Sequence, residues 1–476
     1  MIRRLALTSC LLLVSTPLVA APKPPASPLP ASLRQEAARL RDEAVKGTRA
    51  YDWVSSLTTE VGPRPAGSRG EKAAVEWGLR TLRELGFANV RSEPVTVPHW
   101  ERGRADGEIV SPYRQSVVLA ALGGSVGTSD EGLEAEVAAF ESLAALQQAP
   151  EGSLLDKIAF IDGKMPRARD GSGYGATVVQ RGSGAIEAAK RGAIAVLIRS
   201  VGTDSNRLAH TGGMRYDDAV RKIPAAALSN PDADLLEAQL ASGKPVTFRL
   251  RLAARLLPDE PSANVIAELP GRERPDEIVL LGCHLDSWDL GTGANDDGAG
   301  CAIVIETGRR LLSLPQRPAR TVRIVLFANE EFGLSGAKAY AEAHKEELSR
   351  HVLTAEADLG SGRVYRLSSA VAPQSLPWIE ALVDLLRPLG VERGENDGGG
   401  GADLGPMRKL LVPAVSLSHD ATAYFDFHHT ANDTLDKVDR AGLDQSVAAY
   451  VSMVFVVAEG GMTFAPGPPP PPERRR

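Results

Sequence analysis

The chain has 476 residues, is 43% hydrophobic and 24% charged, and carries a formal net charge of −6. At about one domain per 150 residues, that length suggests roughly three units. The acidic balance excludes a general nucleic-acid binder, which needs a basic surplus to meet phosphates, and the apolar content excludes global disorder.

Arg3 and Arg4 precede an apolar run, Leu5 to Ala20, that ends in small residues. This is the pattern of a signal peptide over 1–21, cleaved near Ala20 or Ala21; the run is short for a membrane span. The expectation is a secreted or periplasmic protein with no stable membrane insertion after cleavage. An uncleaved anchor is the alternative. Lipidation at Cys10 is disfavoured because most of the apolar run follows it. Ala21 to Pro30 reads as a flexible leader.

Leu33 to Glu60 has helical apolar spacing and stops at Gly62-Pro63. Glu71 to Leu85 places Ala74, Val75, Leu79, Leu82 and Leu85 on one helical face, and Val90 to Val97 alternates like a strand. The texture changes at about Leu133, with short strands at Lys157 to Asp162 and Ala193 to Ile198 around a helical Ala185 to Arg191. We read 133–255 as a second domain inserted into a first formed by 22–132 and 256–465. A lid or substrate-shaping role and a structural or dimerising role both fit it.

Past Asn264 the pattern alternates. Ile278 to Cys283, Thr321 to Ala328, Val352 to Asp358 and Leu411 to Leu417 read as strands, with helices at Ala299 to Leu312, Leu334 to Glu347 and Leu376 to Leu386. That alternation implies an α/β fold with a largely parallel sheet, whose ligands bind beyond the carboxyl ends of the strands. The proline- and arginine-rich 466–476 reads as a disordered tail. After signal cleavage the remaining cysteines are Cys283 and Cys301. They are expected as two unpaired buried thiols, with a single bridge as the alternative.

Polar clusters fall at the predicted strand ends: His284-Leu285-Asp286 with Asn295-Asp296-Asp297, then Glu330-Glu331, then Asp358, and finally His428-His429-Thr430 with Asp433. Ends of one parallel sheet converge, so these groups should share a cleft. Gathered carboxylates need compensation, because mutual repulsion would otherwise protonate some of them. Imidazole and carboxylate donors without thiolate suit Zn²⁺ best, with Mn²⁺ or Co²⁺ as substitutes. Two histidines and three carboxylates suffice for two ions sharing a bridge, leaving one glutamate free as a general base on water.

The string H-L-D-S-W-D-L-G-T-G-A-N-D-D-G-A-G, His284 to Gly300, resembles the metal motif of the co-catalytic dizinc exopeptidases, most closely their carboxypeptidase Q branch. Similarity extends through V-P-H-W-E-R-G (Val97 to Gly103), L-G-G-S-V-G-T (Leu122 to Thr128), I-E-A-A-K-R-G-A (Ile186 to Ala193), H-T-G (His210 to Gly212) and F-H-H (Phe427 to His429). The resemblance implies a zinc-exopeptidase (phosphorylase/hydrolase-like) α/β/α sandwich with a mainly parallel mixed sheet. It makes the insertion a β-rich protease-associated domain. It implies two Zn²⁺ ions held by His284, Asp296 as bridge, Glu331, Asp358 and His429, with Glu330 as general base and Asp286 orienting the His284 imidazole. His428 is implied as a donor to the substrate carbonyl, and Asp420 is a candidate holder of a free substrate amine. A cis peptide bond after Asp296, small peptide substrates and a possible homodimer are implied too. His344 and His351 are expected to be solvated, and His99 and His210 have no assigned chemistry.

Three other readings compete. Gly123-Gly124-Ser125-Val126-Gly127 has the spacing of a serine-hydrolase elbow around Ser125, but a loop-like Thr128 to Gly132 follows where a helix is required. A zinc glutaminyl cyclase keeps the fold and changes the reaction. A metal-free binding protein would have lost ligands, and none is lost here.

Overall fold

The computed structural model describes residues 28–469, so the signal peptide expected at 1–21 lies outside the described residues. An eight-stranded sheet runs in the order Ala88–Glu101, Arg255–Leu269, Arg320–Phe327, Arg274–His284, His351–Glu356, Ala414–His419, Val364–Ala370, Glu392–Arg393. Arg320–Phe327, Arg274–His284, His351–Glu356 and Ala414–His419 are mutually parallel, and antiparallel pairs flank them. The sheet is therefore mixed with a parallel centre.

The centre is buried on both faces, which explains its unbroken apolar runs. Along Arg274–His284, Val279, Leu281 and Cys283 pack with the helices Ala299–Leu312 and Arg440–Glu459. Ile278 and Leu280 alternate to the other face, against Ala337, Tyr340, Leu404 and Met407. Helices on both faces complete an α/β/α sandwich. Helix Arg69–Glu84 starts where Ser68 accepts from Glu71 N, while the Glu71 carboxylate takes Gly67 N at 2.6 Å; Ala74, Trp77 and Leu82 then face the core. The stretch expected as one helix over 33–60 is two, Ala31–Ala44 and Ala50–Glu60. The chain turns between them at Gly47, whose φ of 145° suits glycine alone. Helix Arg440–Glu459 is buried from Gly442 to Ala458 apart from Asp444.

A second eight-stranded sheet runs in the order Gln115–Val117, Ala105–Ser111, Thr247–Leu252, Leu133–Phe140, Ile158–Ile161, Ala195–Arg199, Ala225–Leu228, Leu119–Ala121. It begins at 105, so the boundary expected at 133 falls inside it: Ala105–Ser111 pairs with Thr247–Leu252 and Leu119–Ala121 with Ala225–Leu228. Strands Ala88–Glu101 and Arg255–Leu269, paired antiparallel, carry the chain out to this sheet and back.

Three expectations are corrected. Cys283 and Cys301 are joined in a disulfide rather than left as free thiols. Cys283 lies at the end of strand Arg274–His284 next to His284, and Cys301 in the first turn of helix Ala299–Leu312 after the turn at 294–298, which brings their Cα atoms to 5.1 Å. The tail is ordered past 466, because Pro466 bridges to Val371 and Pro468 O accepts from Arg408; residues 470–476 lie outside the described residues. His351 is buried against the Tyr340 hydroxyl at 3.0 Å, and His344 lies between Glu93 and Glu347 at 2.8 and 2.6 Å, so neither is solvated.

Candidate metal centre

Each clustered side chain sits just past the carboxyl end of a parallel strand. His284 ends Arg274–His284, Glu330 and Glu331 follow Arg320–Phe327, and Asp358 follows His351–Glu356. His429 lies on the segment after Ala414–His419, at a φ of 61°, a left-handed conformation uncommon for a residue with a Cβ. Asp296 lies in the turn 294–298, where its bond to Asp297 is cis, as the resemblance implies.

Asp296 is central. Its Oδ1 is 3.2 Å from His284 Nε2, and its Oδ2 is 3.0 Å from His429 Nε2. Asp358 Oδ1 closes one side at 3.4 Å from His284 Nε2, and Glu331 Oε2 the other at 3.0 Å from His429 Nε2. The donors thus divide into two groups that share one carboxylate. Their spacing is close to the edge of about 3.3 Å expected for a tetrahedron of zinc bonds of about 2.0 Å. Asp296 Oδ2 and Glu331 Oε1 are buried without hydrogen-bond partners, which a cation between the donors resolves. The residues present fit bound metal.

The electrostatics agree. Burial alone would lower the His284 imidazole, but Asp358, Asp286 and Asp296 outweigh it and hold it well above its ordinary value. Burial likewise opposes His429, and Glu331 and Asp296 raise it. Burial, then neighbouring carboxylates including Asp358 and Glu331, hold Glu330 well above the carboxylate range. So much negative charge in a dry cleft calls for cations.

Around this centre the backbone is pinned. Asp433 accepts Asn295 N at 2.8 Å and Asp296 N at 3.1 Å, while Asp297 accepts His284 N at 3.1 Å and Gly300 N at 3.0 Å. Asp286 lies beside the His284 imidazole and does more than that. Besides its Oδ1 at 3.6 Å, its carbonyl oxygen lies 3.1 Å from His284 Nδ1, and its carboxylate also accepts Glu330 N at 2.9 Å and Glu331 N at 3.3 Å. It therefore sets the two glutamates as well. Trp288 Nε1 donates to Glu331 Oε2 at 2.6 Å. The Glu330 carboxylate pairs with no imidazole among the described residues, unlike Glu331.

His428 stacks on His429 with ring centroids 3.6 Å apart, packs among Tyr174, Tyr424 and Phe425, and places Nε2 3.5 Å from Asp296 Oδ2. His429 touches two carboxylates and His428 one, and both imidazoles lie with Asp296 close enough to share one ion. Burial, then the charge of His429, keeps His428 well below its ordinary pKa and thus neutral. Asp420 is not brought into the cluster. Its carboxylate is spent on Arg169 at 2.9 Å and on Thr422 N and Oγ1 at 3.0 and 2.6 Å, at the rim of a cavity of about 500 Å³ that meets the centre at Asn295. Ser125 is no nucleophile: it is fully buried, with Oγ bonded to Val126 O and Ala225 N.

The helix and loop beside the second sheet contribute residues that sequence patterns left unassigned. Arg181 Nη1 is 3.4 Å from His429 Nδ1, and Thr211 O is 3.2 Å from the same nitrogen. The H-T-G motif at 210–212 was the available signal, but it carries no ligand spacing.

Residues 264–454 match the profile of Peptidase family M28. Carboxypeptidase Q of Xenopus laevis is 35% identical over 90% of each chain. The chain belongs to peptidase family M28. It is a metallo-exopeptidase hydrolase. The crystal structure of the Peptidase M28 precursor from Shewanella amazonensis superposes with a TM-score of 0.90 at 49% identity, covering 92% of this chain and 99% of that one. An aminopeptidase from Aneurinibacillus sp. strain AM-1 gives 0.62 at 25% identity, covering 90% and 99%.

Proposed function

We propose that this M28 peptidase is an exported dizinc exopeptidase of short peptides. The carrying observation is that His284 and His429 face opposite oxygens of the single Asp296 carboxylate. In this reading His284 and Asp358 hold one ion, His429 and Glu331 the other, and Asp296 both. Bound zinc supplies Lewis acidity toward the scissile carbonyl and lowers the pKa of water. Glu330, free of imidazole partners and fixed by its backbone bond to Asp286, accepts the proton of the attacking water and passes it to the leaving amine. Export is supported by the N-terminal pattern and by a disulfide, which forms in oxidising compartments. The relatives named carboxypeptidase and aminopeptidase both support action on peptides with free termini.

Metal analysis together with a peptide-library digest read by mass spectrometry tests this. Two zinc ions per chain, and terminal cleavage abolished by a chelator and restored by Zn²⁺, are expected. Full activity in metal-free protein, or cyclisation of N-terminal glutamine without hydrolysis, would refute it.

A further inference from the structure

The histidine of the H-T-G motif has no role in the reading above, yet it is among the most enclosed polar groups in the molecule. The His210 side chain is fully buried and that of Asp204 is 1% exposed. His210 Nε2 lies 2.6 Å from Asp204 Oδ1, and its Nδ1 lies 2.7 Å from the carbonyl oxygen of His428, the residue before His429. A Cβ on Gly202 would sit 2.2 Å from the His210 ring, so the slot admits the imidazole and nothing larger behind it.

The same loop grips the segment at three more points. Thr203 N donates to Phe425 O at 2.9 Å, and Thr211 N donates to His429 O at 3.0 Å. Thr211 O is the third, because His429 Nδ1 has one acceptor within reach. The Arg181 guanidinium also near it has only donors, and is itself bonded to Thr211 O at 3.3 Å and Tyr174 Oη at 2.6 Å. For His429 Nε2 to present a lone pair between Asp296 and Glu331, Nδ1 must carry the proton and donate to Thr211 O. A partner of this kind fixes both tautomer and ring direction in a ligating histidine.

We propose that His210, held by Asp204, is a positioning residue for the metal centre. It clamps the His428 carbonyl while Thr211 takes the backbone oxygen and the ring proton of His429. The loop between strands Ala195–Arg199 and Ala225–Leu228 thereby orients the imidazole assigned to one ion, which gives the inserted domain a part in the chemistry beyond covering it. Such a clamp also holds His429 in its left-handed conformation, φ 61°, which is uncommon for a residue with a Cβ. This inference rests on the reading of His429 as a metal ligand.

The test compares wild type, His210→Ala, His210→Asn and Asp204→Asn. Asn at 210 returns a donor near the position of Nδ1. Zinc affinity by competitive chelation, the visible absorption of the Co²⁺-loaded protein, and separate kcat and KM values are read for each, with thermal unfolding of the metal-free form as control. His210→Ala should release one of two zinc ions about 10–100-fold more readily, alter the Co²⁺ bands and lower kcat, with KM changed less than about threefold. His210→Asn should recover much of the affinity, and Asp204→Asn should show a weaker form of the same defect. Unchanged zinc affinity and Co²⁺ bands in His210→Ala would overturn the proposal. So would loss of cooperative unfolding in both His210→Ala and Asp204→Asn, since the pair would then serve folding. If wild type binds zinc and His429→Ala retains both ions, the failure lies in the ligand reading instead.

Discussion

Adjacent glutamates at 330 and 331 should fail in different ways when each loses its charge. Glu330→Gln keeps the side-chain length, and the Glu330 N bond to Asp286 at 2.9 Å that sets its direction is a backbone bond the substitution leaves in place. The change therefore removes one proton acceptor and little else. A lost general base costs about 10²–10⁴-fold in rate, or about 2.7–5.4 kcal/mol of barrier. Because Glu330 pairs with no imidazole, both metal ions should stay bound. Glu331 is placed otherwise: Oε2 lies 3.0 Å from His429 Nε2 and takes the Trp288 indole at 2.6 Å. Glu331→Gln puts a neutral amide oxygen, a poor zinc ligand, on one side of the pair. One ion should be lost, and activity should recover in part with excess Zn²⁺. Metal content by atomic emission and turnover of a dipeptide, measured on the same samples, separate the two. Near-normal turnover of Glu330→Gln with two ions bound refutes the assignment, as does zinc loss from Glu330→Gln with none from Glu331→Gln.

Other perturbations follow from particular contacts. Burial, then the charge of Arg323, holds His351 at about 4, against an ordinary 6.5. The unfolded chain therefore binds the proton first, so this contribution is full above pH 6.5 and is lost as pH falls toward 4. Between pH 7 and pH 4.5 wild type should lose about 2 kcal/mol that His351→Gln does not, read from urea midpoints at those two pH values. Replacing Cys283 and Cys301 together by Ala opens a loop of 18 residues and should cost about 3 kcal/mol on denaturant unfolding, with reduced wild type matching the variant. Ser125→Ala should leave kcat within about twofold and lower stability by about 1 kcal/mol through the lost Ala225 N bond, whereas a nucleophile would lose activity altogether.

The sequence made the sandwich and its polar rim legible because both depend on local pattern. Runs such as Ile278 to Cys283 announce strands buried on two faces, and His284, Glu331 and Asp358 stand directly at strand ends. What escaped was set by contacts across the chain. His210 and Thr211 meet residues 428 and 429 over 218 positions of sequence, a distance no periodicity reports. Helix Arg440–Glu459 gives no clear face to read because it is buried all round. The start of the second sheet was missed because Ala105–Ser111 has its partner at 247–252. Asp420 looked available because its neighbours in sequence do not reveal Arg169, which occupies it.

The first described helix, Ala31–Ala44, packs against the last, Arg440–Glu459. A ribosome making about 5–20 residues per second delivers the second roughly 20–80 seconds after the first. Until then Leu40, Val279 and Leu281, which share one core with Val447, Val451 and Val454, lack their cover. The catalytic half cannot close as it is made. Its apolar face closes only once nearly the whole chain exists, so a truncation ahead of residue 440 would leave Leu40, Val279 and Leu281 without that cover.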